Sequence, residues 1–454
     1  MMRRVIGFIF ISLILVSCGG SSSSSSPLPT PAIVVDEGDE HVADDLPPLN
    51  PNISAAPVTL EVWVDLDFTR DNTFFEEMAE DFEQVYPQVE VEVYSFVREG
   101  ILQRMEHVSK DELPPNVVQG HVYTAARLGL AESLKRQWTE WEEIDPETTS
   151  QFLPAALEEV TWDGVRYGVP LDIYTVVLLY NRAHFDEVNL PYPEGDYDLF
   201  ALRDAAAILT KPEENRYGIG LTTDPWYVYA WISAAGGDLV INDPEKGYLP
   251  ALDSETNIDV LRFMLEMVKA GYAPRPSSRP RDYEEARTGF LEGRISMYFG
   301  EPHDIHLIQS TNPDFPLGVA ELPKTPAGES SASVLGSSGF FIPRGSIDQD
   351  VAFEFIKWAS SDRYIIPMAR RVGHYPARVW LQTSPEFTEN LSLTPFFNQL
   401  DAARPYRLDL FPRAEEAFWD AVKLSFYDLA TPSEALHEAQ QRSEATLVEK
   451  EALP

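Results

Sequence analysis

The chain has 454 residues, 44% hydrophobic and 24% charged, which is enough apolar surface for more than one core and too much chain for one small domain. Acidic residues outnumber basic ones 73 to 35, a formal charge of −38 that repels a phosphate backbone and argues against nucleic acid as a partner. With 1 cysteine, an internal disulfide and a cysteine-rich metal site are both excluded.

That cysteine sits where a leader would end. Arg3 and Arg4 precede an apolar run, Val5 to Val16, of signal-peptide length and too short to span a bilayer. Leu15-Val16-Ser17-Cys18-Gly19 follows and resembles a bacterial lipobox. The expectation is a lipoprotein signal peptide over 1–17, lipidation of Cys18, and a membrane anchor that needs no transmembrane helix. Residues 18–57 then read as a tether. Ser21 to Ser26 is pure serine, Pro27, Pro29 and Pro31 follow, and Asp36, Glu37, Asp39, Glu40, Asp44 and Asp45 add charge, so little apolar surface is available to fold.

The folded body is predicted to start at Val58. Val58 to Val64 is rich in β-branched and aromatic residues and reads as a strand. In Asn72 to Tyr86, Phe74, Phe75, Met78, Phe82 and Val85 share a helical face, and Pro87 stops it. Val89 to Tyr94 alternates as a half-buried strand. Strand, helix and strand in that order imply a parallel pair with a crossover. Val117-Val118 leads to a helix over Thr124 to Leu134, and Gly168 to Asn181 reads as one long strand. Leu199 to Leu209 and Ile258 to Lys269 are helical, the latter closed by Gly271. Arg294 to Phe299 and Val334 to Ile342 read as strands. Asp350 to Ala359, Arg413 to Phe426 and Pro432 to Lys450 read as helices, the last opened by Thr431, Pro432 and Glu434. The fold class is α/β.

Six stretches in order resemble the family 1 extracellular solute-binding proteins of ATP-driven importers, the group that includes maltose-binding protein. They are the opening Trp63 to Tyr94, Tyr167-Gly168-Val169-Pro170 with Leu179-Tyr180-Asn181, Ala234 to Asp238, and Phe290 to Met297 with Gly300. Val334 to Pro343 and Ala352 to Lys357 complete the set. The resemblance implies the type II periplasmic-binding-protein-like fold, two α/β lobes joined by hinge crossovers around a ligand cleft. Mapped here, lobe 1 comprises 58–172 and 340–376, and lobe 2 comprises 173–339 and 377–454. It further implies closure of the lobes on a sugar, delivery to membrane permease subunits, a monomer, and no cofactor or catalytic residue.

Sugars offer hydroxyls at their edges and C–H patches on their faces, which suit carboxylates, amides and imidazoles on one hand and flat rings on the other. Asp65, Asp67 and Phe68 follow the first strand. Gln119 and His121 follow Val117-Val118, and His121 has no metal-ligand spacing to a second histidine. Asp172 and Tyr174 interrupt an apolar run at the first crossover, where a charge demands a partner or a cleft. Asp224 to Trp231 is the densest aromatic cluster and contributes Trp226, Tyr227 and Trp231. Glu301 and His303 stand where many relatives carry a tryptophan, Ser337 lies at the second crossover, and His374 and Tyr375 flank the third. Trp419 matches a stacking tryptophan of the maltose-type proteins.

Three rival readings remain. A glycosidase would use acid pairs such as Asp65 and Asp67, yet no nucleophile elbow, phosphate loop or His-Glu-x-x-His motif occurs. A transporter subunit for a polyamine, amino-acid-like solute or metal chelate is the second. A lipoprotein sensor or adhesin of the same fold is the third.

Overall fold

The computed structural model describes residues 53, 56–65, 73–96, 101, 104–105, 113–194, 197–324, 332–373 and 375–451. Cys18, most of the tether, Asp67, Phe68 and His374 lie outside them, and Asp65 is described only in its backbone.

In chain order the strands are β1 (Val58–Asp65), β2 (Val89–Phe96), β3 (Val117–Gly120), the hairpin β4 (Thr161–Trp162) and β5 (Val165–Arg166), then β6 (Gly168–Pro170), β7 (Asp172–Thr175) and β8 (Val177–Asn181). They continue with the hairpin β9 (Val240–Asp243) and β10 (Gly247–Pro250), then β11 (Met297–Gly300), β12 (Leu317–Ala320), β13 (Val334–Gly336), β14 (Gly339–Phe341), β15 (Tyr375–Pro376) and β16 (Arg404–Pro405).

One sheet has the order β2-β1-β3-β14-β6. Its first three strands are parallel, because β1 and β2 are linked by the helix Thr73–Val85, while β14 runs antiparallel to both β3 and β6. Leu60, Val62 and Val64 of β1 are fully buried and meet Phe75, Phe82, Phe340, Phe355 and Trp358 in a single core. Two further sheets, β11-β8-β12 and β15-β7-β13-β16, are wrapped by the remaining helices. Leu202, Trp231, Phe299, Phe418 and Val422 form a second core, and Ile173, Leu179, Phe290, Tyr375 and Phe396 a third.

The long strand expected over Gly168 to Asn181 is three strands in three sheets, and the one expected over Val334 to Ile342 is two. The apolar run is continuous because each piece is buried, but the pieces hydrogen-bond to different neighbours. At these breaks the chain passes from one sheet to another. Leu171 N–H donates to the Ser338 carbonyl (2.8 Å), Ser338 N–H donates to Asp172 Oδ1 (2.7 Å), and Ala377 N–H donates to the Leu171 carbonyl (3.2 Å). The buried Asp172 carboxylate is thus held by the backbone of the neighbouring crossing strand.

Beside these strands, distant parts of the chain meet through a polar cluster. Arg407, just after β16, places both terminal nitrogens on Glu159 (2.7 and 2.9 Å) and lies 3.8 Å over the Tyr123 ring. Thr124 Oγ1 donates to Asp409 Oδ2, and Arg127 donates to the Leu410 carbonyl. Tyr123, Thr124 and Arg127 belong to the helix Val122–Arg127 that follows β3 of the five-stranded sheet.

Candidate ligand-binding site

The site begins with a turn. Asp282, buried, accepts from Thr223 N–H (2.9 Å) and Thr223 Oγ1 (2.8 Å), and also from the Thr222 hydroxyl. Asp224 then caps the helix Pro225–Ala234, accepting from Trp226 N–H at 3.0 Å, with Pro225 in the first turn where its missing N–H costs nothing. The turn thereby fixes Trp226 at the start of the helix. Trp419, on the helix Pro412–Phe426, donates its indole N–H to Thr223 Oγ1 at 3.2 Å. Trp226 and Trp419 are therefore anchored on one four-residue turn. Neither is sunk in a core, since both are half-buried. The Lys423 ammonium lies 4.1 Å over the Trp419 ring.

Around Trp226 the surroundings are aromatic and acidic. Its ring centroid is 5.4 Å from Tyr174 and 5.5 Å from Tyr406. Gly336 of β13 lies beneath: a Cβ there would sit 2.3 Å from the Tyr174 ring and 2.7 Å from that of Trp226, so no side chain fits. The Trp226 indole N–H donates to Glu301 Oε1 at 2.6 Å. Glu301 follows β11 and caps the helix Pro302–Thr311, whose first turn also bears His303 and Asp304. Tyr406 donates its hydroxyl to Glu415 at 2.6 Å. Sequence reading missed Tyr406 because it stands in a Pro-flanked stretch with no periodicity, and only the pairing of β13 with β16 brings it here.

The other candidates divide. Gln119 is buried on β3 opposite Phe340, and His121 is half-buried immediately before the helix Val122–Arg127. Tyr227 and Trp231 are buried among aromatic neighbours. Tyr227 packs on Tyr283 at 5.0 Å, and Trp231, 1% exposed, stacks flat on Phe299 at 4.3 Å, so core neighbours occupy their faces. Their helix is apolar all round, which buries every face past its first turn. Ser337 is buried, and its hydroxyl donates to the Asp172 carbonyl at 2.7 Å and so ties two neighbouring strands together. Tyr375 is buried against Phe387 and Phe396. A cavity of about 500 Å³ at the helix Leu199–Leu209, lined by Leu190, Tyr192, Tyr197 and Ile208, contains none of the candidate residues.

Among the described residues no group of acids, histidines and cysteines has the arrangement of a metal site, and no helix is long and apolar enough to cross a membrane.

Comparison with known proteins agrees with this architecture. Over 400 residues the chain is 26% identical to the diacetylchitobiose-binding protein of Streptomyces coelicolor, covering 85% of this chain and 84% of that one. Over 320 residues it is 24% identical to the maltotriose-binding protein of Pyrococcus abyssi, a match covering 69% of this chain and 65% of the relative's length. In fold it is similar to an ABC transporter solute-binding protein of Thermotoga lettingae solved with α-D-tagatose, with a TM-score of 0.71 and 24% identity over 85% of this chain and 98% of that one. The family model described as bacterial extracellular solute-binding protein matches residues 77–395, most of the folded body. A chain with these sheets, these crossings and that match belongs to the bacterial extracellular solute-binding protein family.

Proposed function

We propose that this protein is the extracytoplasmic capture subunit of an ATP-driven importer, anchored by lipid on Cys18, and that it binds a sugar or oligosaccharide and hands it to membrane permease subunits. It acts as a monomer, without cofactor and without chemistry on its ligand. Its lobes are 58–172 with 340–376 and 173–339 with 377–454, and ligand contacts from both favour the closed state. The observation that carries the sugar reading is the pair of half-buried indoles, Trp226 and Trp419, anchored to one turn, with the Glu301 carboxylate against Trp226. Flat rings suit the C–H faces of a sugar and the carboxylate suits its hydroxyls. The sugars in the names of the two relatives and of the solved neighbour support the same ligand class.

One observation favours a second reading. Trp226 between Tyr174 and Tyr406, next to Glu301, is also a set that suits a cationic ligand. A thermal-shift screen separates the two, with diacetylchitobiose, maltotriose and tagatose against spermidine and amino acids. A ligand at 100 times its Kd adds about 2.7 kcal/mol to the stability of the bound state, enough to raise the melting point measurably. A shift with spermidine or amino acids and none with any sugar rejects the carbohydrate reading.

A further inference from the structure

Glu301 is the inner end of a line of alternating charges. The Asp304 carboxylate, fully buried, accepts from Arg287 Nη1 at 3.0 Å through Oδ1 and from Glu301 N–H at 3.1 Å through Oδ2. His303 stands between the two acids, with Nε2 3.4 Å from Asp304 Oδ1 and Nδ1 3.1 Å from Glu301 Oε2. The second Glu301 oxygen, Oε1, takes the Trp226 indole N–H at 2.6 Å. The order is Arg287, Asp304, His303, Glu301, Trp226, and it passes from the helix Tyr283–Leu291 through the helix Pro302–Thr311 to the turn that also holds Trp419.

We propose that Arg287, Asp304 and His303 are positioning residues whose task is to fix the Glu301 carboxylate, and through it the Trp226 ring, with His303 acting as a doubly protonated bridge between two acids and not as a ligand contact. The proposal rests on the reading of Trp226 as a ligand-stacking ring.

The chemistry of the imidazole requires this. Ionised carboxylates only accept, so an imidazole facing one on each side satisfies both only when both nitrogens carry a proton. In the neutral ring one nitrogen would turn a lone pair toward a carboxylate oxygen. Charge points the same way: with the imidazolium, two cations alternate with two anions, and with neutral histidine one buried negative charge is left over. Burial by itself would lower the His303 pKa, but the carboxylates of Asp304 and Glu301 outweigh both it and the opposing Arg287, and the pKa rises above 6.5. The other titratable groups nearby are Tyr227, Tyr283 and Tyr298, which sense the Glu301 charge, and the more exposed Glu284, 3.5 Å from Arg287 at the outer end of the line and 3.3 Å from Arg281. His306 packs against Gly373, as His303 does, and the adjoining helix Asp362–Val372 bears Arg370, which is exposed. None of these stands between His303 and its two acids.

The helix geometry explains why three neighbouring residues can do this. Glu301 is the cap residue and Asp304 lies three positions on, so the Asp304 side chain returns to the Glu301 N–H while its other oxygen faces Arg287. His303, between them in sequence, is brought beside both. A bidentate or doubly held carboxylate cannot rotate without breaking a charge-assisted bond, so the indole it grips is oriented before any ligand arrives.

The test needs no ligand. In the ¹⁵N-labelled full-length protein, the indole N–H resonance of Trp226 is identified by its loss in Trp226→Phe and followed against pH. The expected result is a single step with a midpoint above 6.5, absent in His303→Gln and shifted to lower pH in Asp304→Asn. A Trp226 resonance that does not move with pH, or that titrates unchanged in His303→Gln, overturns the proposal. Should Asp304→Asn fail to fold, His303→Gln decides alone, because His303 is only partly buried and its loss leaves the Arg287–Asp304 pair in place. Because the readout is taken on the unliganded protein, the relay can fail while the sugar reading stands. The thermal-shift screen above can reject the sugar reading while the relay stands.

Discussion

Removing the Arg407 guanidinium tests a buried ion pair between segments 248 residues apart. Glu159 is 8% exposed, and both its oxygens are taken by Arg407 at 2.7 and 2.9 Å. Arg407→Ala leaves that carboxylate buried without its cation, which costs about 3–5 kcal/mol, a large part of a total stability on the order of 5–15 kcal/mol. It also uncovers the Tyr123 ring, over which the guanidinium lies at 3.8 Å. Arg407→Lys keeps the charge but loses the fork and the flat contact, so its cost is intermediate. The double variant Glu159→Leu with Arg407→Met removes both charges and fills the space, and is expected within about 1–2 kcal/mol of the parent. Urea unfolding reads the parent, these three variants and the single variants Glu159→Leu and Arg407→Met that complete the cycle. A pH series adds a signature. Burial raises the Glu159 pKa and Arg407 opposes that rise. Without Arg407 the carboxyl takes up a proton more readily, so the Arg407→Ala penalty is largest near neutral pH and shrinks as pH falls. Single variants that each cost under about 1 kcal/mol and add up in the double would refute the idea that this pair is a buried, coupled unit.

Other outcomes follow from the same geometry. Trp226→Ala and Trp419→Ala should each abolish the thermal shift given by the bound solute while the unliganded melting point stays near that of the parent. Trp231→Ala, which empties a core site, should instead lower stability by about 3–5 kcal/mol. Gly336→Ala drives a methyl group to 2.3 Å from the Tyr174 ring and should weaken solute binding by displacing Tyr174 and Trp226, measured by calorimetry against the same solute. Burial raises the Asp409 pKa from 3.8 to about 6, so the folded state holds that proton more tightly than the unfolded chain does. Its contribution is therefore fully present below the unfolded value, is lost as pH rises to about 6, and is flat above. The difference in unfolding free energy between the parent and Asp409→Asn should show that downward step and no further change at higher pH.

Much of this protein could be read from its residues in order. Local periodicity and caps located Leu199–Leu209 as it stands, and the Thr431–Glu434 start signal is present as a hydrogen bond of 2.7 Å between the two side chains. These signals are carried within one turn of chain, so no distant partner is needed to read them. The ordered stretches from Trp63 to Lys357 pointed to the family that the comparison then identified. Trp226 and Trp419 could be singled out as aromatic residues in suggestive places.

The tertiary structure alone decided which rings are usable and what holds them. Trp226 and Trp231 lie in one helix with nothing in the local pattern to separate them, yet the first is half-buried beside Glu301 and the second is stacked on Phe299. Continuous apolar runs such as Gly168 to Asn181 concealed three strands, because burial leaves the same hydrophobic record whichever sheet a residue joins. Tyr406, Arg407, Arg287 and Asp282 carry no local signature at all. Tyr406 meets the Trp226 ring, and Arg407, Arg287 and Asp282 pair with groups more than a dozen residues away, contacts that exist only once the chain has folded.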